Sequence, residues 1–140
     1  MDLAGLNRSM RRKAKALERN RDKKVQAVGV NVLRNVALTT PWLTGRARFN
    51  WQANLDSAPN SSLYANNFGG PAGASAAIGR GTPTIMKYQG DTNKSIHITN
   101  NLVYIQRLNE GHSKQAPAGY IQKAIRNGVA AVRGIRLLSK

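Results

Sequence analysis

The sequence predicts a single α+β domain: a long N-terminal helix, a small, mostly antiparallel sheet, and a short helix and a C-terminal helix packed on that sheet. Three patterns predict it. Apolar residues recur at helical spacing from Val25 to Val36, and again from Ile121 to Ile135. Between them, the stretch after Gly45 alternates apolar and polar residues, as a half-buried strand does.

The chain opens on charge. Residues 1–24 carry nine Lys and Arg against Asp2, Glu18 and Asp22, a net +6. Leu3, Leu6, Met10, Ala14 and Leu17 fall at steps of three and four, so one thin apolar stripe runs along a helix. Arg8, Arg12, Lys15 and Arg19 keep the same steps on another face, and Arg11 belongs to the same basic set. From Glu18 to Lys24 no apolar residue appears, so that segment has no face to bury. A basic helical arm at 1–24, standing off a domain at 25–140, is the expectation. Val25, Val28, Val32, Leu33 and Val36 then mark a core-facing helix. Pro41 disfavours helical geometry at Thr40 and ends it near Leu38 or Thr39.

Past the Thr44-Gly45 turn, Ala47, Phe49, Trp51, Ala53 and Leu55 point to one face of a strand. Arg46, Arg48, Asn50, Gln52 and Asn54 point to the other. Residues 56–83, rich in Gly, Ala, Ser, Asn and Pro, read as a long loop. It has room for a short helix near Ala74–Ile78 and another opened by Pro83 and running through Tyr88. Ser95–Thr99 alternates again, with Ile96 and Ile98 on one face. Asn100 or Asn101 caps a helix holding Leu102, Tyr104, Ile105 and Leu108, which Gly111 ends. The last helix spans roughly Tyr120–Leu138, and the six cations after Glu110 meet no acid.

Composition narrows function. A net charge of +16 seeks anions: nucleic acid or an acidic protein surface. A membrane is not expected, because the arm's apolar stripe is thin and partly alanine. No stretch approaches the roughly 20 apolar residues of a spanning helix, and no apolar run opens the chain, so it reads as made in a cytoplasm. The chain has no cysteine, which excludes disulfides and cysteine-bound zinc.

The segment "NEGHSKQAPAGYI", Asn109–Ile121, holds Glu110, His112, Ser113 and Lys114 within five positions. Adjacent His and Ser side chains rarely meet as base and nucleophile, and no third group stands by to orient the base. A Ser–Lys pair needs a buried lysine, which this polar stretch does not offer. His97 and His112 have no carboxylate cluster, so no metal or cofactor is expected. The segment reads instead as a shaped connector between two helices, with Gly111 and Gly119 permitting tight turns and Pro117 stiffening it. No catalytic residue is assigned, and the chain is not expected to be an enzyme.

Two blocks together resemble a known family. "TPWLTGRAR", Thr40–Arg48, resembles the Thr-Pro-x-x-Thr-Gly-Arg signature of a tailed-bacteriophage family, and "ITNNLVYIQRLNEGHSKQAPAGYIQKAI", Ile98–Ile125, resembles its second block. The family comprises neck proteins, also called tail-completion, head–tail joining or tail-terminator-like proteins. Leu43 stands where the family often has Asp, and Val103 where it often has Pro. The resemblance implies a structural virion protein of the head–tail junction. It would assemble in the host bacterial cytoplasm as a homo-oligomeric ring of about six or twelve copies. Its neighbours would be the head connector or closure protein and the tail tube protein, and DNA would pass through it. Expected subunit or partner contacts are Thr44, Gly45, Arg46, Arg48, Asn101, Tyr104, Gly111, His112, Ser113, Lys114, Gln115, Pro117 and Gly119. Expected contacts to an acidic partner or DNA are Arg8, Arg11, Arg12, Lys15, Arg19, Arg126, Arg133 and Arg136. The alternative is a basic nucleic-acid-binding protein acting outside the virion.

Overall fold

The structure, a computed structural model, describes residues 3–132. Its order is α1 (Leu3–Thr39), α2 (Arg46–Phe49), β1 (Trp51–Leu55), a 3-10 turn (Gly70–Ala72), α3 (Gly73–Ile85), β2 (Ile96–Asn100), α4 (Ile105–Asn109) and α5 (Tyr120–Ala130). The fold is α+β, with one two-stranded antiparallel sheet and with α5 packed against α1 and the sheet. Trp51 pairs with Asn100, Ala53 with Ile98 and Leu55 with Ile96.

The core sits where the C-terminal half of α1 meets α3, α5 and the sheet. Leu33, Val36, Ala37, Trp51, Ala74, Ala77, Ile85 and Ala124 form one buried cluster. A Cβ on Gly128 would stand 2.8 Å from the Val32 nitrogen, so α5 lies almost directly on the α1 backbone. Thr40 is buried and links two elements: its hydroxyl donates to the Val36 carbonyl (2.6 Å) and accepts from Trp51 Nε1 (2.8 Å).

The long N-terminal helix is as expected and runs without a break from Leu3 to Thr39, about 55 Å. Four expectations change. The helix expected to hold Leu102 and Tyr104 behind an Asn cap begins instead at Ile105, with Tyr104 at its N-cap, no side-chain cap, and Asn100 still in β2. The strand does not begin at Arg46: Arg46–Phe49 form one helical turn and only Trp51–Leu55 are extended. Gly45 sets this, with φ +89, and Arg48 locks it by reaching back across the turn. The two short helices expected within and after the 56–83 loop are one, α3, with Pro83 inside it. Its glycines are contact points rather than breaks: a Cβ on Gly81 would meet Leu33 Cδ2 at 2.5 Å. The last helix ends at Ala130, and the rest of the span expected to reach Leu138 lies, after Val132, outside the described residues.

The segment from Asp56 to Gly69 is tied down by side chains. Asn50, fully buried, accepts from the Leu63 amide (2.6 Å) and donates to the Leu63 carbonyl (3.2 Å). Gln52 holds the Ser61 carbonyl, and Asn101 holds those of Pro59 and Ser61.

Candidate partner-docking cleft

Residues 40–48 and 98–125 meet in space. The turn after α1 and the connector after α4 are joined by an amide clasp: Trp42 N–H donates to Gln115 Oε1 (2.7 Å), and Gln115 Nε2 donates to the Trp42 carbonyl (2.6 Å). A side chain thus does what a neighbouring strand would do. Around it opens a cleft of about 890 Å³. Thr44, Arg46, Tyr104, His112, Ser113 and Gln115 line it, six of the thirteen residues expected at subunit or partner contacts.

Its remaining wall is mostly apolar and aromatic, with Asn66 and Asn67 as its polar members. Pro41, Trp42, Leu43, Phe68 and Leu108 contribute, and Leu43 is 88% exposed. Phe68 is held edge-on by Phe49 (5.3 Å between centroids) and by Tyr64. Arg46 is the cation of the lining. Burial raises the Tyr104 phenol above its ordinary pKa, and the nearby Arg46 charge offsets part of that rise. No carboxylate lines the cleft.

Gly45 lies beneath it. A Cβ there would collide with the Gly70 backbone, and Gly70 N–H donates to the Thr44 carbonyl (2.9 Å). Gly111 (φ +94) and Gly119 (φ +78) turn the connector, closed by Gly119 N–H donating to the Asn109 carbonyl (2.7 Å). Lys114 and Pro117 are exposed beside it.

Arg48 and Asn101, both expected at a partner, are occupied within the chain. Arg48 donates to the carbonyls of Thr40 (2.7 Å), Leu38 (3.0 Å) and Pro71 (3.1 Å), fastening the end of α1 to the 3-10 turn. Sequence patterning put Arg48 on a wet strand face because the helical turn of α2 was not visible. Trp42, Leu43, Phe68 and Leu108 were not expected in the site. Phe68 had one signal: with Leu63 and Tyr64 it is one of the few large apolar side chains in a stretch of small and polar residues.

No catalytic group is assembled in the connector. His112 Nε2 lies 3.8 Å from Glu110, both largely exposed. Ser113 Oγ accepts from the Gln115 amide (3.2 Å) instead of facing the imidazole. A Ser–His contact does occur on β2, Ser95 Oγ to His97 Nε2 at 2.9 Å. The nearby Asp56 carboxylate is committed to Asn93 Nδ2 and the amides of Lys94 and Ser95, not to that imidazole. Among the described residues no group of three metal-ligating side chains forms, and no helix is long and apolar enough to cross a membrane.

The basic residues lie apart from the cleft. Arg8, Arg11, Arg12, Lys15 and Arg19 are exposed on the N-terminal half of α1, and Arg126 is exposed on α5. Arg133 and Arg136 lie outside the described residues. Among the described residues, no lysine or arginine is ion-paired with a carboxylate. Comparison of the chain with protein-family models, curated proteins and solved structures gave no match.

Proposed function

We propose that this chain is a structural, non-enzymatic protein of the head–tail junction of a tailed bacteriophage. It assembles as a homo-oligomeric ring between the head connector and the tail tube and lets DNA pass. One observation carries the reading: the two sequence blocks that resemble neck proteins converge on one open, aromatic-rimmed cleft. Exposed aromatic and aliphatic side chains around a single arginine have the composition of a protein-binding surface. A ring repeats one heterologous contact until it closes, which needs such a surface on every copy.

Light scattering on the purified chain tests this. A closed ring is expected, and Leu43→Asp, at an exposed position, reduces it to monomer while leaving the fold intact. A wild-type chain that stays monomeric at high concentration and never joins virions overturns the reading. The alternative, a nucleic-acid-binding protein acting outside the virion, draws on the bare cations of α1. It predicts a small species on DNA, with affinity falling steeply as salt rises.

A further inference from the structure

The arm formed by the N-terminal half of α1 is not used by the cleft. From Ala4 to Arg19 it is exposed or half-buried throughout. Farther along α1, Asp22 accepts from the Gly90 amide (3.0 Å) and Gln26 donates to the Tyr88 carbonyl (2.8 Å), tying the helix to the body.

Two faces of this arm are exposed, with Lys15 and Arg19 at its base also bordering a hollow lined by Tyr88, Gln89, Gly90 and Asp91. Arg8, Arg12, Lys15 and Arg19 lie along one side, with Arg11 next to them. At 3.6 residues per turn, Met10 falls on the side opposite Arg8 and Arg12, in line with Leu6 and Leu17. Leu6 is 40% exposed and Met10 59%. Lys13 borders this apolar stripe.

We propose that residues 6–19 dock as a helix into an apolar, acid-rimmed groove on a different protein. Charge complementarity selects that occupant over the others. A second copy of this chain cannot supply the acids. It has six in all, of which Asp22 and Asp56 are already hydrogen-bonded within the fold. Two arms packed stripe to stripe would also bring their Lys13 side chains together. Nucleic acid would satisfy the cations but leave Leu6, Met10 and Leu17 in water, and α1 has no aromatic residue to stack on a base. A lipid surface would take the apolar stripe but leave Arg8 and Arg12 pointing away from the headgroups. Because the cations lie opposite the stripe, only a groove deep enough to enclose the helix, apolar on its floor and acidic at its closing lips, meets both faces at once, a deep form of helix-in-groove recognition.

The full chain tests this with three probes: calcium-loaded calmodulin as a stand-in acid-rimmed groove, a short DNA duplex, and phosphatidylglycerol vesicles. Two variants are compared, Leu6→Ser/Met10→Ser and Arg8→Gln/Arg12→Gln/Lys15→Gln/Arg19→Gln. Both change side chains outside the core, and an unchanged thermal midpoint confirms the fold. At about 0.15 M salt the wild-type chain binds calmodulin more tightly than DNA or vesicles. Each variant weakens calmodulin binding by about tenfold or more, roughly 1.4 kcal/mol, while only the charge variant weakens DNA binding. Calmodulin binding that ignores Leu6→Ser/Met10→Ser, or tighter binding to DNA or to vesicles, overturns the proposal.

Discussion

The two halves of α1 share one continuous backbone and have opposite fates. After residue 25 the helix places Leu33, Val36 and Ala37 in the core, each 1% exposed or less. Before residue 20 the same helix has an apolar stripe of similar period, yet it stays in water. The difference is what flanks the stripe. In the second half the neighbours are Val, Gly and Asn, which let α3 and α5 close to backbone contact. In the first half they are Lys and Arg, whose burial without partners costs far more than the stripe returns. Periodicity says that a helix forms; the charges beside the stripe decide whether this chain covers it.

The sharpest way to break that contrast is a matched truncation. Leu33→Ala is expected to cost about 2–5 kcal/mol, because the residue is fully buried and a cavity remains. Leu6→Ala is expected to cost under about 0.5 kcal/mol. Urea unfolding measures both, and equal losses would mean that the arm packs on the body. Next in size is Arg48→Met, which removes three hydrogen bonds that fasten the end of α1. A loss of about 2 kcal/mol in the same assay is expected: one bond from a charged donor is worth about 1.5–3 kcal/mol, and two of the three are exposed to water and add little. Gln115→Ala opens the clasp on Trp42 for about 1 kcal/mol, with faster hydrogen exchange at the Trp42 amide as its signature. Ser113→Ala leaves the clasp in place and is expected to be mild.

The smallest effect is a pH dependence. Hydrogen bonds from Asn93, Lys94 and Ser95 hold the Asp56 carboxyl below its ordinary pKa. Its contribution is therefore whole above about pH 4 and is lost as pH falls through the lowered native value. Thermal midpoints of wild type and Asp56→Asn should converge on acidification, and a gap that widened would contradict the assignment.

Much of this was legible in the chain. Val25–Val36, the second half of the first strand, Ser95–Thr99, Gly111 and the start of the last helix were all marked by period, Gly or Pro. What stayed hidden was set by tertiary contact. Period-two alternation over four residues fits a turn of helix as well as a strand, so Arg46–Phe49 was misassigned until Gly45 and Arg48 fixed the backbone. Gly79, Gly81 and Pro83 looked like helix breakers, but Gly81 faces Leu33 and Ala53, where a side chain would not fit. The cleft was half legible. Its polar members stood out, whereas Leu43, Phe68 and Leu108 join it only after the chain folds back.

The central claim is that this fold forms a ring at the head–tail junction through the cleft. Electron imaging of intact particles, with the copies counted around the axis, tests it most directly. A closed ring at the junction, each copy's cleft filled by a neighbour, is the predicted result. A junction without this fold, with the chain left free in the lysate, would contradict it.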